Sequence, residues 1–298
     1  KEINPNKNNG IIVGTELEFE DYRVDLDSTI AVELPFPFQF YGEVFDTIAV
    51  NSNGWIAFGA DRTRYLDFRN QQIPGIQGPD AQIAVFWQDL INYLANDNAG
   101  VYYFYDQEAE TFTIEWSDMR VYQDDGESVE VQIILYDPAV YPTTTGDGEI
   151  KLQYKTAPRV EGDHTDNKYC TVGIKNLDGT GGLEYTYWDQ YPAANRPLEA
   201  EMALFITSDR FPTFGSIEGV ITREEDPEAE LEGVVVRTLR SGEESVTDNN
   251  GNFAFESILT GREQLRLTKS GFNTLVLTVD VAEDSTSRVE GRMTHPQI

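Results

Sequence analysis

Apolar and polar residues alternate one by one along much of this 298-residue chain. The pattern is clearest in Thr111–Trp116, Val129–Tyr136 and Ile150–Lys155. Successive side chains of a β-strand point to opposite faces, so each segment predicts a strand with one apolar and one polar face. Antiparallel sheets with one side packed and the other in water have this signature.

Turn signals at short intervals separate these segments. Asn53-Gly54 lies between two β-competent runs, Thr47–Ser52 and Trp55–Gly59, and predicts a hairpin. Ile83–Trp87 is predicted to be a strand, and the sequence has no helical apolar stripe of useful length. Many short strands with regular turns predict an all-β chain whose first part is a large antiparallel β-sandwich or jelly-roll-like domain.

The charge of the chain limits its partners. The sequence has 22 Lys and Arg residues against 52 Asp and Glu residues, a formal net charge of −30. Nucleic acids and anionic membranes both require cationic contacts, so neither is expected as a partner. No apolar run approaches the length of a membrane span, and a start at Lys1 is typical of a mature secreted protein or of a fragment. We therefore expect an extracellular or cell-surface location.

Cys170 is the only cysteine, so no internal disulfide can form. A cysteine nucleophile needs a base held against it, and the two histidines are His164, in a loop-like stretch, and His295. Cys170 lies in a strand-like run and is predicted to be a small buried apolar residue. Serine-elbow, zinc-protease and phosphate-loop motifs are absent from the sequence. The chain is therefore predicted not to be an enzyme.

The C-terminal part carries a series of spaced motifs, which are Gly215–Thr222, Leu231–Val236, Thr247–Phe255, Leu259–Gly261 and Lys269–Phe272. Their order and spacing resemble those of the carboxypeptidase regulatory-like family. The resemblance implies a small transthyretin-like β-sandwich over 214–298, which is not catalytic and which spaces or positions neighbouring domains. Arg262-Glu-Gln264 departs from the family pattern and puts only the local packing there in question.

The first part also carries recognisable stretches, which are Leu34–Gly42, Val50–Gly59, Ile83–Leu90, Gly146–Tyr154 and Thr171–Asn176. They resemble a module of large secreted bacterial proteins that is sometimes found beside gingipain-type cysteine peptidases. The resemblance implies an extracellular β module over 1–213. The boundary between the two modules is predicted at 208–216.

Short oxygen-bearing side chains in loops could bind calcium, which prefers carboxylate and carbonyl ligands. The clusters are Asp97 with Asn98, Asp163 with Asp166 and Asn167, and Asp248 with Asn250 and Asn252. The last cluster has the alternate spacing of a calcium loop but lacks its downstream glutamate, and the resembled family uses that stretch as a turn. We predict that calcium, if the chain binds it, uses Asp163, Asp166 and Asn167.

Four tryptophans could form either a carbohydrate-stacking platform or part of the core. Trp116 alternates with Phe112 and Ile114, so it is predicted to be buried. Trp188, next to a turn in Tyr185–Tyr191, is the candidate for exposure.

An apolar run near the start, Gly10–Gly14, contains Ile11, Ile12 and Val13. Such a run could pair with the exposed sheet edge of another copy, as in donor-strand complementation. It could equally be the first strand of its own domain. Both interpretations stay open at the level of the sequence.

Two hypotheses for function follow. The first is a non-catalytic structural or adhesive protein of the cell exterior, in which copies associate into a filament by β-strand addition and a cell-surface or glycan partner is bound. The second is an accessory spacer or binding region of a secreted peptidase or other hydrolase.

Overall fold

A computed structural model describes residues 2–7, 14–19, 27–92, 99–122, 128–157, 170–209 and 213–296. These residues form twenty β-strands and one short 3-10 turn, Ala60–Arg64. The predicted all-β class is confirmed. Contacts within the chain divide it into two compact units, Lys1–Ser208 and Asp209–Ile298.

The large unit contains the first thirteen strands. They are β1 Thr15–Glu16, β2 Thr29–Phe40, β3 Glu43–Asn51, β4 Trp55–Phe58, β5 Gln82–Trp87, β6 Leu90–Ile91, β7 Gly100–Asp106, β8 Thr111–Val121, β9 Val129–Tyr136, β10 Ile150–Thr156, β11 Thr171–Lys175, β12 Gly182–Tyr187 and β13 Met202–Ile206.

These strands build two antiparallel sheets that pack face to face as a β-sandwich. One sheet has the order β1-β7-β8-β9-β10-β13, with β6 also on β8, and the other has the order β12-β11-β5-β4-β3-β2. Two hydrogen bonds cross the core between them. The Trp116 indole donates to the Asn51 carbonyl at 2.9 Å, and the Tyr154 hydroxyl donates to the Val85 carbonyl at 2.9 Å. The one polar group on each of these buried, otherwise apolar rings thus has a hydrogen-bond partner.

The predicted turn at Asn53-Gly54 joins β3 to β4 and lies inside the sandwich. The Asn53 side chain accepts the Leu90 N–H at 2.8 Å, and the Gly54 carbonyl accepts the N–H groups of Val85 and Phe86 at 3.1 Å each. Gly54 has φ +76°, and a Cβ atom at this position would stand 2.1 Å from the Phe86 carbonyl oxygen. Only glycine fits such a close approach of two backbones.

The outer face of the six-stranded sheet is covered by the segment 59–81. The indoles of Trp55 and Trp87 both donate to the Asp67 carbonyl, at 3.0 and 2.8 Å. The Lys175 ammonium, which is fully buried, donates to the Gln77 carbonyl at 2.7 Å and to the Gly75 carbonyl at 3.3 Å. Burial lowers the pKa of Lys175 because desolvation disfavours the charged form.

The predicted alternation of buried and solvent-facing residues holds in β9 but is wrong in β8. β9 alternates between buried and half-buried positions along most of its length. In β8 the polar residues Thr111, Thr113 and Glu115 are buried as well, with Glu115 3% exposed. For Glu115 the reason is that the N-terminal segment 2–7 lies on this face, where Ile3 is also buried.

The small unit contains seven strands, which are β14 Phe214–Arg223, β15 Val235–Thr238, β16 Glu244–Val246, β17 Asn252–Leu259, β18 Gly261–Thr268, β19 Leu275–Val281 and β20 Thr286–Met293. They form two sheets, β17-β14-β20 and β16-β15-β18-β19, around one apolar core. The pair β14–β20 is parallel and the other pairs are antiparallel.

A buried carboxylate organises the stretch Arg262–Gln264 that departs from the resembled family. Glu263 is fully buried and accepts the N–H groups of Leu239, Arg240 and Gln264 at 2.9–3.1 Å. Burial raises the pKa of Glu263, while these N–H groups and the Arg240 charge oppose that rise. The glutamate therefore closes the β15–β16 connection onto β18 by satisfying buried backbone donors.

We expect Gly54→Ala to destabilise the large unit by about 4 kcal/mol or more, because a methyl group cannot coexist with the Phe86 carbonyl oxygen. Urea unfolding followed by tryptophan fluorescence measures the loss. Gly42→Ala is the matched control, since Gly42 also has positive φ but open space around it. It should cost only about 1 kcal/mol of backbone strain. Equal losses for the two variants would contradict the role given to the close approach.

Candidate functional site

The Cys170 thiol is unsuited to nucleophilic chemistry. The residue as a whole is half-buried, but its sulfur is shielded from water, and this burial raises the pKa of Cys170 to about 12. The thiolate is the reactive form, so the thiol is inert near neutral pH. Of the two histidines, His164 lies outside the described residues. His295 is in the small unit, where it contacts the Gly271 carbonyl and the Glu225 carboxylate.

The N-terminal segment is held on the large sheet by buried polar contacts. The Ile3 N–H donates to a Glu115 carboxyl oxygen at 3.0 Å, and the Asn4 side chain donates to the Ser117 hydroxyl at 3.1 Å. Gly14, further along, donates its N–H to the Ile3 carbonyl at 3.1 Å. The chain on both sides of 8–13 is thus anchored to its own domain.

Charged side chains from four elements meet around this attachment. Lys155 on β10 contacts Glu2 at 3.2 Å and Glu130 on β9 at 2.5 Å. Lys7 contacts Glu130 and lies 3.5 Å from Asp118 on β8. Partly buried pairs of this kind are screened by salt less than fully exposed pairs are.

Two carboxyl groups share the centre of the cluster. Burial, together with the hydrogen bond and charge of Glu2, raises the pKa of Glu115 to about 8. Glu115 therefore holds a proton at neutral pH and is bonded to Glu2, while Gln132 also donates to it. Neighbouring carboxyl groups cannot both ionise without repulsion. The strand pattern placed Glu115 in water and gave no sign of this pair, because its partner is more than a hundred residues away.

The Asp97 and Asn98 cluster lies outside the described residues, and so do both predicted binding sites. These are the calcium ligands Asp163, Asp166 and Asn167, and the partner-binding residues Ile11, Ile12 and Val13. Both assignments stay predictions.

The described residues contain no group of three or more His, Cys, Asp or Glu side chains that could hold a metal ion. The Asp248 cluster is a turn: its carboxylate accepts the N–H groups of Asn250 and Asn252 at 2.9 and 2.8 Å. These backbone bonds lower the pKa of Asp248. One carboxylate oxygen of Asp248 is thus bonded to the backbone of its own turn.

A cleft of about 600 Å³ opens between β1 and β2, at one side of the sandwich. Its lining combines apolar residues such as Ile30 and Tyr103 with three carboxylates, Glu16, Glu18 and Glu33. Burial and the charge of Glu18 raise the pKa of Glu16. A cleft with this lining disfavours anionic ligands.

Three of the four tryptophans are core residues, as predicted for Trp116. Trp55, Trp87 and Trp116 are 0% exposed. Trp188 differs, since it is half-buried and occupies a two-residue turn at the end of β12. The turn is closed by reciprocal backbone hydrogen bonds between Tyr187 and Gln190, at 2.9 and 3.3 Å.

The backbone of this turn is unusual for its residues. Trp188 has φ +51° and Asp189 has φ +53°. Hairpin turns with two positive φ angles favour Asn, Asp and Gly, and a left-handed conformation costs a residue such as tryptophan about 1–2 kcal/mol. Within the described residues no other pair of consecutive non-glycine residues has positive φ. Strain of this kind often occurs at functional sites.

Aromatic rings surround the turn, and we refer to Tyr185, Tyr187, Trp188 and Tyr191 as the aromatic turn. The rings of Tyr187 and Trp188 lie 5.8 Å apart, and those of Tyr185 and Tyr191 lie 6.1 Å apart. All four residues are half-buried, with Tyr185 packed against the sandwich core and the Trp188 indole nitrogen shielded from water. Backbone groups fix two of the hydroxyls: Tyr185 donates to the Arg196 carbonyl at 2.7 Å, and Tyr191 accepts from Leu198.

We expect the attachment of segment 2–7 to weaken as pH rises. A carboxyl group whose pKa is raised by folding stabilises the folded state fully below its unfolded pKa of 4.5. That contribution is lost progressively as pH rises to about 8 and amounts to on the order of 5 kcal/mol. Glu115→Gln is neutral at every pH, so the variant should gain stability relative to the natural chain between pH 5 and 9.

Urea unfolding of both chains at pH 5, 7 and 9 measures this difference. Glu43→Gln, which removes an exposed carboxylate, is the control and should parallel the natural chain. A constant difference between Glu115→Gln and the natural chain across this range would contradict proton sharing at Glu115.

We expect Cys170 to resist alkylation in the folded chain. At pH 8 a thiol with a pKa near 12 is ionised only to about one part in ten thousand. Iodoacetamide at this pH should therefore leave the folded chain unlabelled and label the chain in urea, as read by intact mass. Fast labelling of the folded chain, or cleavage of unfolded protein substrates that requires Cys170, would contradict this assignment.

The part of the chain that the structure describes has no apolar helix of the length needed to cross a membrane. A comparison with curated proteins finds no match. Among solved structures, an Acetivibrio cellulolyticus type II cohesin–X-dockerin complex matches at 18% identity and a TM-score of 0.22. That match covers 26% of this chain and 52% of that chain, so this chain aligns with about half of its length.

Two pilin structures are also similar. The full-length major pilin SpaD of Corynebacterium diphtheriae matches at 11% identity over 96% of both chains, with a TM-score of 0.26. The minor pilin GBS52 of Streptococcus agalactiae matches at 15% identity over 51% of this chain and 87% of that chain, with a TM-score of 0.25. Similarity at this level transfers no function.

A family model matches the large unit over almost its whole extent. The model described as NIDO related matches residues 11–204, which is about two thirds of the chain and spans the sandwich from before β1 into β13. The chain belongs to the NIDO-related family.

Proposed function

We propose that this chain is a non-catalytic structural or adhesive protein of the cell exterior, in which copies associate by adding a strand to an open sheet edge. The proposal rests on the apolar composition of β13. All five residues of Met202–Ile206 are apolar, and β13 is the last strand of its sheet within the described residues. An unprotected apolar edge is a template for pairing with another chain.

The three other edge strands of the sandwich are less suited to pairing, which makes β13 distinctive. β12, at one edge of the six-stranded sheet, carries Glu184 among its six residues, and charge opposes pairing. β2 carries Pro35 and Pro37 together with the exposed Glu33. Proline cannot donate to a ladder and charge opposes pairing, so both features blunt an edge. β1, at the far side of the β13 sheet, has only two residues. An incoming strand would thus find its longest apolar template at β13.

The proposed donor is the run Ile11, Ile12 and Val13 of a second copy. An extended apolar run satisfies its backbone groups along an acceptor edge, and alternate side chains fill pockets there. Burying Ile11 and Val13 would contribute roughly 1.5–3 kcal/mol each. The flanking residues favour the competing interpretation, since Gly14 bonds to Ile3 and Thr15 pairs with Tyr103 of the same domain. Exchange between copies would require the run to leave these neighbours.

The absence of catalysis is supported by the inert Cys170 thiol and by the composition of the described core, which is a packed apolar sandwich. An extracellular location accords with the net charge of −30 and the single cysteine.

We also propose that 214–298 is a carboxypeptidase regulatory-like module that spaces the large module, 1–213, from its surroundings. The same architecture would suit an accessory region of a secreted hydrolase, and a catalytic domain in the same polypeptide would favour that alternative.

We expect Ala203→Lys to abolish association. Ala203 is the exposed residue of β13, so lysine there is compatible with folding but opposes an added strand. Because the net charge of −30 opposes close packing, association of the natural chain should strengthen with salt. Sedimentation velocity at 0.05 and 0.5 M NaCl measures the mass of the species formed.

Gln153→Lys is the matched control, because Gln153 pairs with Ala203 one strand inside the edge. Both variants add one positive charge to an acidic chain, and this change by itself should favour association. A loss of association can therefore come only from the altered sheet edge. Ile11→Ser with Val13→Ser tests the donor. A natural chain that stays monomeric at both salt concentrations, or equal association of all variants, would overturn the proposal.

A further inference from the structure

We infer that the aromatic turn is a binding site for neutral sugar rings. The site consists of Tyr185, Tyr187, Trp188 and Tyr191 at the edge strand β12. This goes beyond the proposed association through β13, and its failure would leave that association untouched because the two sites use different strands in different sheets.

The position of the indole is the first argument. A turn that only joins two segments of chain would be more stable with Asn-Gly than with Trp188-Asp189, since both residues are left-handed. The three other tryptophans are fully buried, so the chain elsewhere uses indole as core material. Trp188 thus carries a large ring at a left-handed position, where the backbone conformation disfavours it. Replacing Trp188 would relieve this strain.

The arrangement of the rings is the second argument. Tyr187 and Trp188 are inclined by 37° with centroids 5.8 Å apart, which presents two tilted apolar surfaces side by side. The C–H face of a pyranose ring stacks on such surfaces, and aromatic side chains offer large contact area at small entropic cost. The exposed Gln190 amide lies at the same turn and can accept hydrogen bonds from sugar hydroxyls and donate hydrogen bonds to them.

Charge selects the class of sugar. Glu184 and Asp189 flank the rings, and the whole chain has a net charge of −30. Uronic acids, sialic acids and sulfated sugars would be repelled by this field. The ligand class is therefore a neutral hexose or N-acetylhexosamine polymer, either as a cell-wall polysaccharide or as a glycan on a protein.

The test uses the full chain and four probes: cellulose, chitin and starch as neutral polysaccharides, and alginate beads as the acidic one. A neutral probe should deplete the chain from solution, and alginate should not. Soluble oligosaccharides of the bound polymer should change tryptophan fluorescence through Trp188, since the other three indoles are shielded from solvent. A glycoprotein carrying neutral glycans, added in competition, distinguishes the two sources.

The deciding variant is Trp188→Asn with Asp189→Gly, which keeps the turn and relieves its strain. We expect its affinity for the bound polysaccharide to fall about tenfold or more, while its Tm rises. Tyr41→Asn is the matched control. Tyr41 is likewise a left-handed aromatic residue in a hairpin turn, with φ +49° and 39% exposure, so its replacement relieves similar strain and should leave binding unchanged.

Three results would overturn the inference. The first is that none of the neutral polysaccharides binds. The second is that alginate binds as well as they do, and the third is that the Trp188→Asn, Asp189→Gly variant binds like the natural chain.

Discussion

The large unit depends on a turn that is polar and yet buried. Buried backbone groups must find partners, and the residues Asn51–Gly54 find theirs on strands from both sheets. The Asn53 side chain reaches β6 through Leu90, the Gly54 carbonyl reaches β5, and the Asn51 carbonyl takes the Trp116 indole of the opposite sheet. Because each partner lies on a different strand, the register of β4, β5, β6 and β8 is fixed by one short sequence. Apolar packing alone would tolerate a shifted register far better.

Much of this framework is readable from the sequence, because the determinants are local. Asn53-Gly54 predicts the hairpin, the alternation in Val129–Tyr136 predicts β9, and the apolar run Ile83–Trp87 predicts β5. Where the prediction from the sequence is wrong, the cause is a contact with a distant segment of the chain. Glu115 has the spacing of a solvent-facing residue, and it is buried only because Ile3 and Asn4 cover it. No local pattern encodes a contact across 112 residues.

The candidate functional sites also depend on contacts that the sequence does not show. Trp188 stands out in the sequence as an aromatic residue near a turn, but Tyr-Trp-Asp-Gln contains no turn-forming glycine or asparagine. The left-handed backbone at Trp188 and Asp189 follows from the closure of Tyr187 onto Gln190, which is visible only in three dimensions. The edge at β13 is similar. The apolar character of Met202–Ile206 can be read directly, whereas its place at the end of a sheet depends on the whole strand order.

Comparison of the two aromatic hairpin turns clarifies what the fold itself requires. At Tyr41–Gly42 the second position is glycine, which adopts positive φ without strain, and its N–H is held by the Asp147 carboxylate at 2.7 Å. That turn is therefore secured by a polar contact and carries one strained residue. At Trp188–Asp189 neither position is glycine, and the first is a bulky aromatic residue for which a positive φ is unfavourable. Because natural sequences are rarely at their stability optimum, this strain alone assigns no role, and the proposed ligand site rests on the strain together with the neighbouring rings of Tyr187 and Trp188.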